Sequence, residues 1–140
     1  SREIPVKLDF ALDLPSLDLD PTQIKQALYN VIRNAYQAVD QGEGEIFIQT
    51  HVTDYEVRLS ISDNGSGISP EAMGAMFEPF KTTKVEGTGL GMLIVRRILR
   101  EHGGELEVES EEGVGTKVTL CFPRTDKRVR LLEDSAPIEV

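Results

Sequence analysis

Two asparagines four residues apart, Asn30 and Asn34, are the first residues of the sequence whose spacing suggests chemistry. If the surrounding segment is helical, both carboxamides project from one face of the helix, beside its apolar stripe. Carboxamide oxygens are hard, neutral ligands that suit a magnesium ion which keeps several waters and also binds phosphate oxygens. The pair therefore indicates a metal and phosphate site. The structural alternative is that both amides bond to neighbouring backbone groups.

A second candidate site begins at Asp63, directly after the strand-like segment 57–62. A carboxylate in this position can accept a hydrogen bond from an exocyclic amine such as that of adenine. Gly65 and Gly67 follow, and residues without side chains let the backbone come close to a flat base. The alternative is a plain turn, because Asn-Gly after a strand is a common turn sequence.

A glycine-rich run leads directly into a second helical pattern. Its residues are Gly87, Thr88, Gly89, Leu90 and Gly91. Unblocked amides at a helix N-terminus, reached through residues without side chains, bind phosphate oxygens. The run matches neither the dinucleotide fingerprint nor the P-loop, so ordinary nucleotide folds are disfavoured. A flexible hinge before the helix is the alternative interpretation.

Between the second and third of these motifs lie two aromatic residues, Phe77 and Phe80, and two lysines, Lys81 and Lys84. The aromatic side chains can anchor a loop over a bound nucleotide, and the lysines bring positive charge to its phosphates. This pattern predicts a lid. In the alternative interpretation, the phenylalanines belong to the core and the lysines are solvated.

The first two elements that must position these groups are a strand and a long helix. Residues 4–12 alternate apolar and polar side chains, which predicts a strand with one covered face. Asp20 and Pro21 supply a helix cap and a first helical residue, and the segment 41–44 ends the helix. The apolar positions expected to face the core are Ile24, Ala27, Leu28, Val31, Ile32, Ala35, Ala38 and Val39.

Two strands are predicted next, at 45–53 and 55–62, joined by a tight turn near Asp54. Ser69 and the proline after it predict the cap of a short helix. A second long helix is predicted from about Thr88 to Glu101. The residues of this helix expected in the core are Leu90, Leu93, Ile94, Val95 and Ile98.

The last elements are two strands, at 105–109 and 116–122, linked by a glycine-containing hairpin turn. The order of elements lacks the strict alternation that predicts an all-parallel sheet. It therefore predicts the α/β class: a two-layer α/β sandwich with one mixed sheet and helices on one face. The domain is expected to span 1–123, followed by a flexible tail at 124–140.

The composition restricts the class of protein. With 140 residues, the chain has the size of one domain, and none of its apolar runs is long enough to span a membrane. A net charge of −9 argues against nonspecific binding to nucleic acid, and we expect no membrane contact by this domain. The single cysteine, Cys121, is expected to be a buried, inert thiol in a reducing cytosolic compartment.

Taken in order, these motifs resemble the boxes of the histidine kinase catalytic domain, in the superfamily shared with type II topoisomerases, heat-shock chaperones and mismatch-repair ATPases. The resemblance spans about 4–123 and implies the Bergerat fold of that superfamily. The boxes are, in order, Asn30 and Asn34, then Asp63, Gly65 and Gly67, then Phe77 and Phe80, then Gly87, Gly89 and Gly91, and last Gly113, Val114, Gly115 and Thr116. The short segment between Phe80 and Gly87 resembles the nitrogen-regulation type of sensor kinase.

The resemblance implies a role for each box. It implies ATP and magnesium as ligands, with Asn34 binding the metal, Asp63 binding adenine, and Thr116 contributing to the nucleotide site. Asn30 and Lys84 are the expected catalytic residues, with Lys81 as the second choice for contact with the terminal phosphate. The ATPase branches place a glutamate where Asn30 stands, and an amide cannot take a proton from water, which favours transfer to a protein nucleophile over hydrolysis.

The resemblance also implies partners. Neither His51 nor His102 has the sequence context of the family's phosphoacceptor histidine. We therefore expect the acceptor in a dimerisation domain elsewhere in a longer protein, with a response regulator downstream. The expected location is cytoplasmic, which includes the cytosolic part of a membrane-anchored sensor. Two alternatives stay open: a protein-serine kinase of the anti-sigma type, and an ATP-binding regulatory module without turnover.

Overall fold

The mixed sheet and helices expected from the sequence are present in the computed structural model, which describes residues 4–39, 43–77 and 91–124. The elements in chain order are β1 (Val6–Asp9), α1 (Pro21–Ala38), β2 (Ile46–Val52), β3 (Glu56–Asp63), α2 (Pro70–Ala75), α3 (Gly91–Glu101), β4 (Glu105–Glu111) and β5 (Gly115–Pro123). The predicted tail lies, from residue 125 on, outside the described residues.

The strands form one sheet in the order β1-β2-β3-β5-β4. β1 runs parallel to β2, and the other neighbours are antiparallel, so the prediction of a mixed sheet is confirmed. Successive residues of a strand point to opposite faces, and the apolar ones share one face. A row of four aligned positions across that face joins Ile48, Ile61, Val118 and Val108. This row belongs to one core cluster with residues of α1 and α3, so the helices cover this face.

Helix α1 begins as predicted. The side chain of Asp20 accepts hydrogen bonds from the backbone N–H groups of Thr22 and Gln23 at 3.0 and 3.3 Å, and a proline occupies the first turn. The buried positions are Ala27, Val31 and Ala35. Ile32 was also expected in the core, but 37% of its surface is exposed. It lies about a quarter turn from the centre of the buried stripe, since each residue advances by about 100°.

Helix α3 buries a slightly different face from the one predicted. Val95, Ile98 and Leu99 are its buried residues. Leu93 is half-buried and outside the core cluster, whereas Leu99, which was not predicted to be in the core, is fully buried. The apolar residues of this helix allow either the face with Leu93 or the face with Leu99 to be buried, and packing against α1 selects the face with Leu99. The start predicted near Thr88, and Leu90 with it, lie outside the described residues.

Strand β1 departs most from its prediction. It covers Val6–Asp9 instead of 4–12, and all four of its residues are exposed. The helices lie against β3, β4 and β5, so the edge strand β1 extends beyond the layer of helices. Its alternating pattern therefore indicates a strand correctly, but the covered face expected from that pattern is wrong.

Cys121 lies in β5 and is 4% exposed. Burial disfavours the charged thiolate and raises the pKa of the Cys121 thiol to about 11. The thiolate is the reactive form of cysteine. The prediction of a buried thiol is thus confirmed, and the raised pKa supports the expectation that it is inert, which stays a prediction.

Candidate nucleotide-binding site

The two long helices run in opposite directions, and one hydrogen bond shows it. The backbone N–H of Asp20, at the start of α1, donates to Nε2 of His102, just past the end of α3, at 3.1 Å. The two helices also contact each other and share one core cluster, which fits an antiparallel arrangement. Helix α3 has 11 residues and is about 16 Å long, so its described N-terminal end is level with the second half of α1. Asn30 and Asn34 lie in that half.

The two predicted carboxamides are half-buried on one side of α1. Within the described ranges, neither side chain forms a hydrogen bond with a backbone group or another side chain. The structural alternative, in which both amides bond to neighbouring backbone, therefore has no support in this part of the chain. Half-buried amides without protein partners suit a role in binding a polar ligand.

Asp63 is the last residue of β3, and its carboxylate shapes the loop that follows. Its Oδ1 accepts a hydrogen bond from the N–H of Gly65 at 2.8 Å. Asn64 holds the other side of the loop: its Oδ1 accepts from the N–H of Glu45 at 2.8 Å, and its Nδ2 donates to the carbonyl of Glu43 at 3.0 Å. The Asp63 carboxylate is therefore presented on a loop with a defined conformation.

The glycines of this loop are required by backbone packing. A Cβ on Gly65 would lie 2.2 Å from the carbonyl oxygen of Ala38, in the last turn of α1. A Cβ on Gly67 would lie 2.2 Å from the carbonyl oxygen of Glu111, and Gly67 has a φ of 73°. The sequence motif predicted an approach of the backbone to a base. That approach stays a prediction; what the structure shows is a close approach of this loop to α1 on one side and to β4 on the other.

The contact with Ala38 connects the loop to the asparagine pair. Residues four apart share a helix face, so Asn30, Asn34 and Ala38 follow one another along α1. The N–H of Ser66 donates to the carbonyl of Ala38 at 3.1 Å. The structure therefore brings the Asp63 loop to the end of the helix face that carries the two amides.

Three polar side chains form a row at the end of the sheet. Asp63 is paired with Thr116 of β5, and Thr116 with Ser110 of β4, all on the face that the helices cover. Thr116 was predicted to contribute to the site. Ser110 was not, although its side chain bonds to the Asp63 loop and to β5. The sequence did contain a signal for Ser110: it continues the alternation of Leu106 and Val108 on the same strand face, but with a polar side chain.

Of the residues predicted to form a lid, the structure describes Phe77 and Gly91. The guanidinium of Arg96 in α3 lies over the ring of Phe77, 4.2 Å from its centre, which attaches the segment after α2 to α3. Gly91, at the described start of α3, has open space where a Cβ would be. The other residues predicted for the lid lie outside the described residues; they are Phe80, Lys81, Lys84, Gly87, Thr88, Gly89 and Leu90.

These features suit an α/β domain that binds a polar ligand: a carboxylate at the sheet end and two amides on the helix face that leads to it. A family model described as histidine kinase-, DNA gyrase B-, and HSP90-like ATPase matches residues 19–126. The chain belongs to this family. The expected superfamily and fold are thereby confirmed.

Within the family, the chain is similar to sensor kinases. It is 40% identical over 123 residues to the sensor histidine kinase ZraS of Escherichia coli K12, covering 88% of this chain and 26% of that protein. It is 38% identical over 121 residues to sporulation kinase E of Bacillus subtilis, covering 86% of this chain and 16% of that protein. The chain thus spans about a quarter or less of these relatives.

Solved structures agree with this placement. The catalytic domain of histidine kinase ThkA superposes with a TM-score of 0.77 at 34% identity, over 89% of this chain and 82% of that one. The full-length kinase ShkA, solved in complex with AMPPNP, superposes with a TM-score of 0.73 at 29% identity, over 86% of this chain and 25% of that one. None of the described helices is both long and apolar enough to span a bilayer.

Proposed function

We propose that this domain binds ATP with magnesium and transfers the terminal phosphoryl group to a histidine in another domain of the same protein. The observation that carries the proposal is the position of Asn30 and Asn34. Their half-buried amides lack hydrogen-bond partners in the described ranges, and they lie on the helix face that leads to the Asp63 loop. A nucleotide laid between these features meets groups suited to its base, its metal and its phosphates.

The residues present fit a magnesium ion. Residues 4–39, 43–77 and 91–124 contain no group of three or more His, Cys, Asp or Glu side chains arranged to hold a metal. The side-chain oxygen of Asn34 and phosphate oxygens of the nucleotide would supply the ligands, with water completing the shell. When bound, magnesium neutralises phosphate charge.

The chemistry of Asn30 selects transfer over hydrolysis. A carboxamide does not accept a proton, so Asn30 cannot activate water as a general base. Its amide can orient phosphate oxygens, and the start of α3 offers backbone N–H groups to the same oxygens. In the proposed reaction, the bond between the terminal phosphorus and the bridging oxygen breaks and ADP leaves, a phosphorus–nitrogen bond forms, and the imidazole releases its N–H proton to water. Positioning and charge neutralisation supply the catalysis.

The remaining assignments rest on the sequence and the relatives. Lys84 is proposed to contact the terminal phosphate, with Lys81 as the second choice. The relatives are several times longer than this chain, which supports a partner domain in the same protein carrying the acceptor histidine. A response regulator would receive the phosphoryl group, and we propose a cytoplasmic location for the domain, where ATP is available.

The test supplies the chain with labelled ATP, magnesium and the helical histidine domain of its own protein. We expect label on that domain in an acid-labile, base-stable bond, as in phosphohistidine, and no transfer when magnesium is chelated. An Asp63→Asn variant should transfer more slowly at limiting ATP. Release of inorganic phosphate without labelled protein would show an ATPase instead, and label on serine would show a serine kinase.

A further inference from the structure

The hydroxyl of Ser110 takes part in three hydrogen bonds at the end of the sheet. The N–H of Ile68 donates to Ser110 Oγ at 2.8 Å, Ser110 Oγ donates to the carbonyl of Gly115 at 3.0 Å, and Ser110 Oγ lies 2.8 Å from Thr116 Oγ1. A serine hydroxyl has one proton and two lone pairs. The Gly115 carbonyl can only accept, so it takes that proton. Ser110 must then accept from Thr116.

We infer that Ser110 sets the direction of the Thr116 hydroxyl and thereby makes it a hydrogen-bond acceptor toward a bound base. Because the hydroxyl of Thr116 donates its proton to Ser110, Thr116 Oγ1 can only accept a hydrogen bond from a ligand. Asp63, the cross-strand neighbour of Thr116, also presents an acceptor. Ser110 is thus a specificity-determining residue for the nucleotide, and this inference rests on the proposed ATP site.

Two hydrogen-bond acceptors side by side distinguish an amino group from an oxo group at position 6 of a purine. The 6-amino group of adenine carries protons that such acceptors can bind. The 6-oxo group of hypoxanthine or guanine has none, and its oxygen would face two further oxygens. A buried polar group left without a partner weakens binding more than a missing contact does. The row therefore selects 6-aminopurine nucleotides, and Ser110 contributes without touching the base.

The test compares the dissociation constants of ADP and IDP, which differ at position 6, in the chain and its variants. The variant Ser110→Ala releases the Thr116 hydroxyl to turn and donate to a 6-oxo group. We expect its preference for ADP over IDP to fall about fivefold. Ser62 lies one residue before Asp63, on the opposite face of the sheet. The control variant Ser62→Ala should therefore keep the preference of the wild type.

Thr116→Val provides a second measurement that does not depend on Ser110→Ala being folded. Removing the Thr116 hydroxyl should also lower the preference, and the double variant should lower it no further than Thr116→Val does. Equal weakening of ADP and IDP in Ser110→Ala, or an unchanged preference in Thr116→Val, would overturn the inference and leave the ATP site intact. A wild-type chain that binds neither nucleotide would overturn the proposed function itself.

Discussion

The imidazole of His102 joins the end of α3 to the start of α1 in one defined tautomer. Its Nδ1 lies 2.7 Å from the carbonyl of Ile98, and its Nε2 accepts from the N–H of Asp20 at 3.1 Å. A carbonyl only accepts, so Nδ1 carries the proton and Nε2 carries the lone pair. Because the helices are antiparallel, we expect this link at one end to influence how the opposite parts, which carry Asn34 and Gly91, are placed.

Two substitutions separate the two hydrogen bonds of His102. Asparagine places an amide nitrogen near the position of Nδ1 and keeps the bond to Ile98. Glutamine places an oxygen near the position of Nε2 and keeps the bond to Asp20. Each should cost about 1 kcal/mol in the free energy of unfolding, measured with urea. We expect His102→Asn alone to weaken ATP binding, by about fivefold. Equal ATP affinities in the two variants would show that the link does not position the site.

Alanine substitutions at Gly65 and Gly74 compare a glycine in close backbone contact with a glycine in open space. Gly65→Ala would bring a methyl group to 2.2 Å from the Ala38 carbonyl, so we expect a loss of about 1–3 kcal/mol in the free energy of unfolding. A Cβ on Gly74, in α2, would meet nothing within 4 Å, so Gly74→Ala should be neutral or add up to about 1 kcal/mol. Similar thermal denaturation midpoints for the two variants would contradict the close contact at Gly65.

Asn34→Ala tests the proposed metal ligand. With magnesium, ATP affinity measured by calorimetry should fall by roughly tenfold, because one ligand oxygen is lost. With EDTA in place of magnesium, the variant and the wild type should bind alike. Gln26→Ala, an exposed amide on the same helix, serves as control. A loss of affinity that is the same with and without magnesium would assign Asn34 to the nucleotide and not to the metal.

Asp63→Asn keeps the shape of the side chain and an oxygen for the N–H of Gly65. The substitution removes the negative charge and adds an N–H donor, which cannot form a hydrogen bond with the N–H donors of the adenine amine. We expect ATP to bind about 10- to 100-fold more weakly, since the hydrogen bond to a charged group is lost. Asp54→Asn, in the exposed turn at the far end of β3, should bind ATP like the wild type. Unchanged affinity in Asp63→Asn would remove Asp63 from the base site.

Cys121 predicts how stability depends on alkaline pH. Its pKa is about 11 in the folded chain, whereas an unfolded cysteine titrates near about 8.5. Below the pKa of the unfolded chain, the buried neutral thiol makes its full contribution to the free energy of unfolding. This contribution is lost as the pH rises toward the pKa of the folded chain. Between about pH 8.5 and 10, the wild type should lose roughly 1.5 kcal/mol more than Cys121→Ala in the free energy of unfolding, measured with urea. Parallel pH profiles of the two proteins would contradict this, as would rapid native-state alkylation by iodoacetamide.

The local features of this protein could be predicted from its residues alone. The cap at Asp20, the order of the elements and the mixed sheet all followed from patterns between residues close in the chain. Helix caps, strand alternation and glycine-rich turns depend on neighbouring residues, so a reader of the sequence can identify them. The order of the boxes, and the amide at position 30, indicated the family and the type of reaction.

The tertiary structure alone decided which faces and contacts are used. Packing of α3 against α1 placed Leu99 in the core and left Leu93 outside it. The position of the helices over the sheet left β1 uncovered, although its alternation suggested a covered face. Ser110 acquired its role only when β4, β5 and the Asp63 loop came together. Contacts between distant segments depend on how whole elements pack, and this information is spread over the chain and absent from any local pattern.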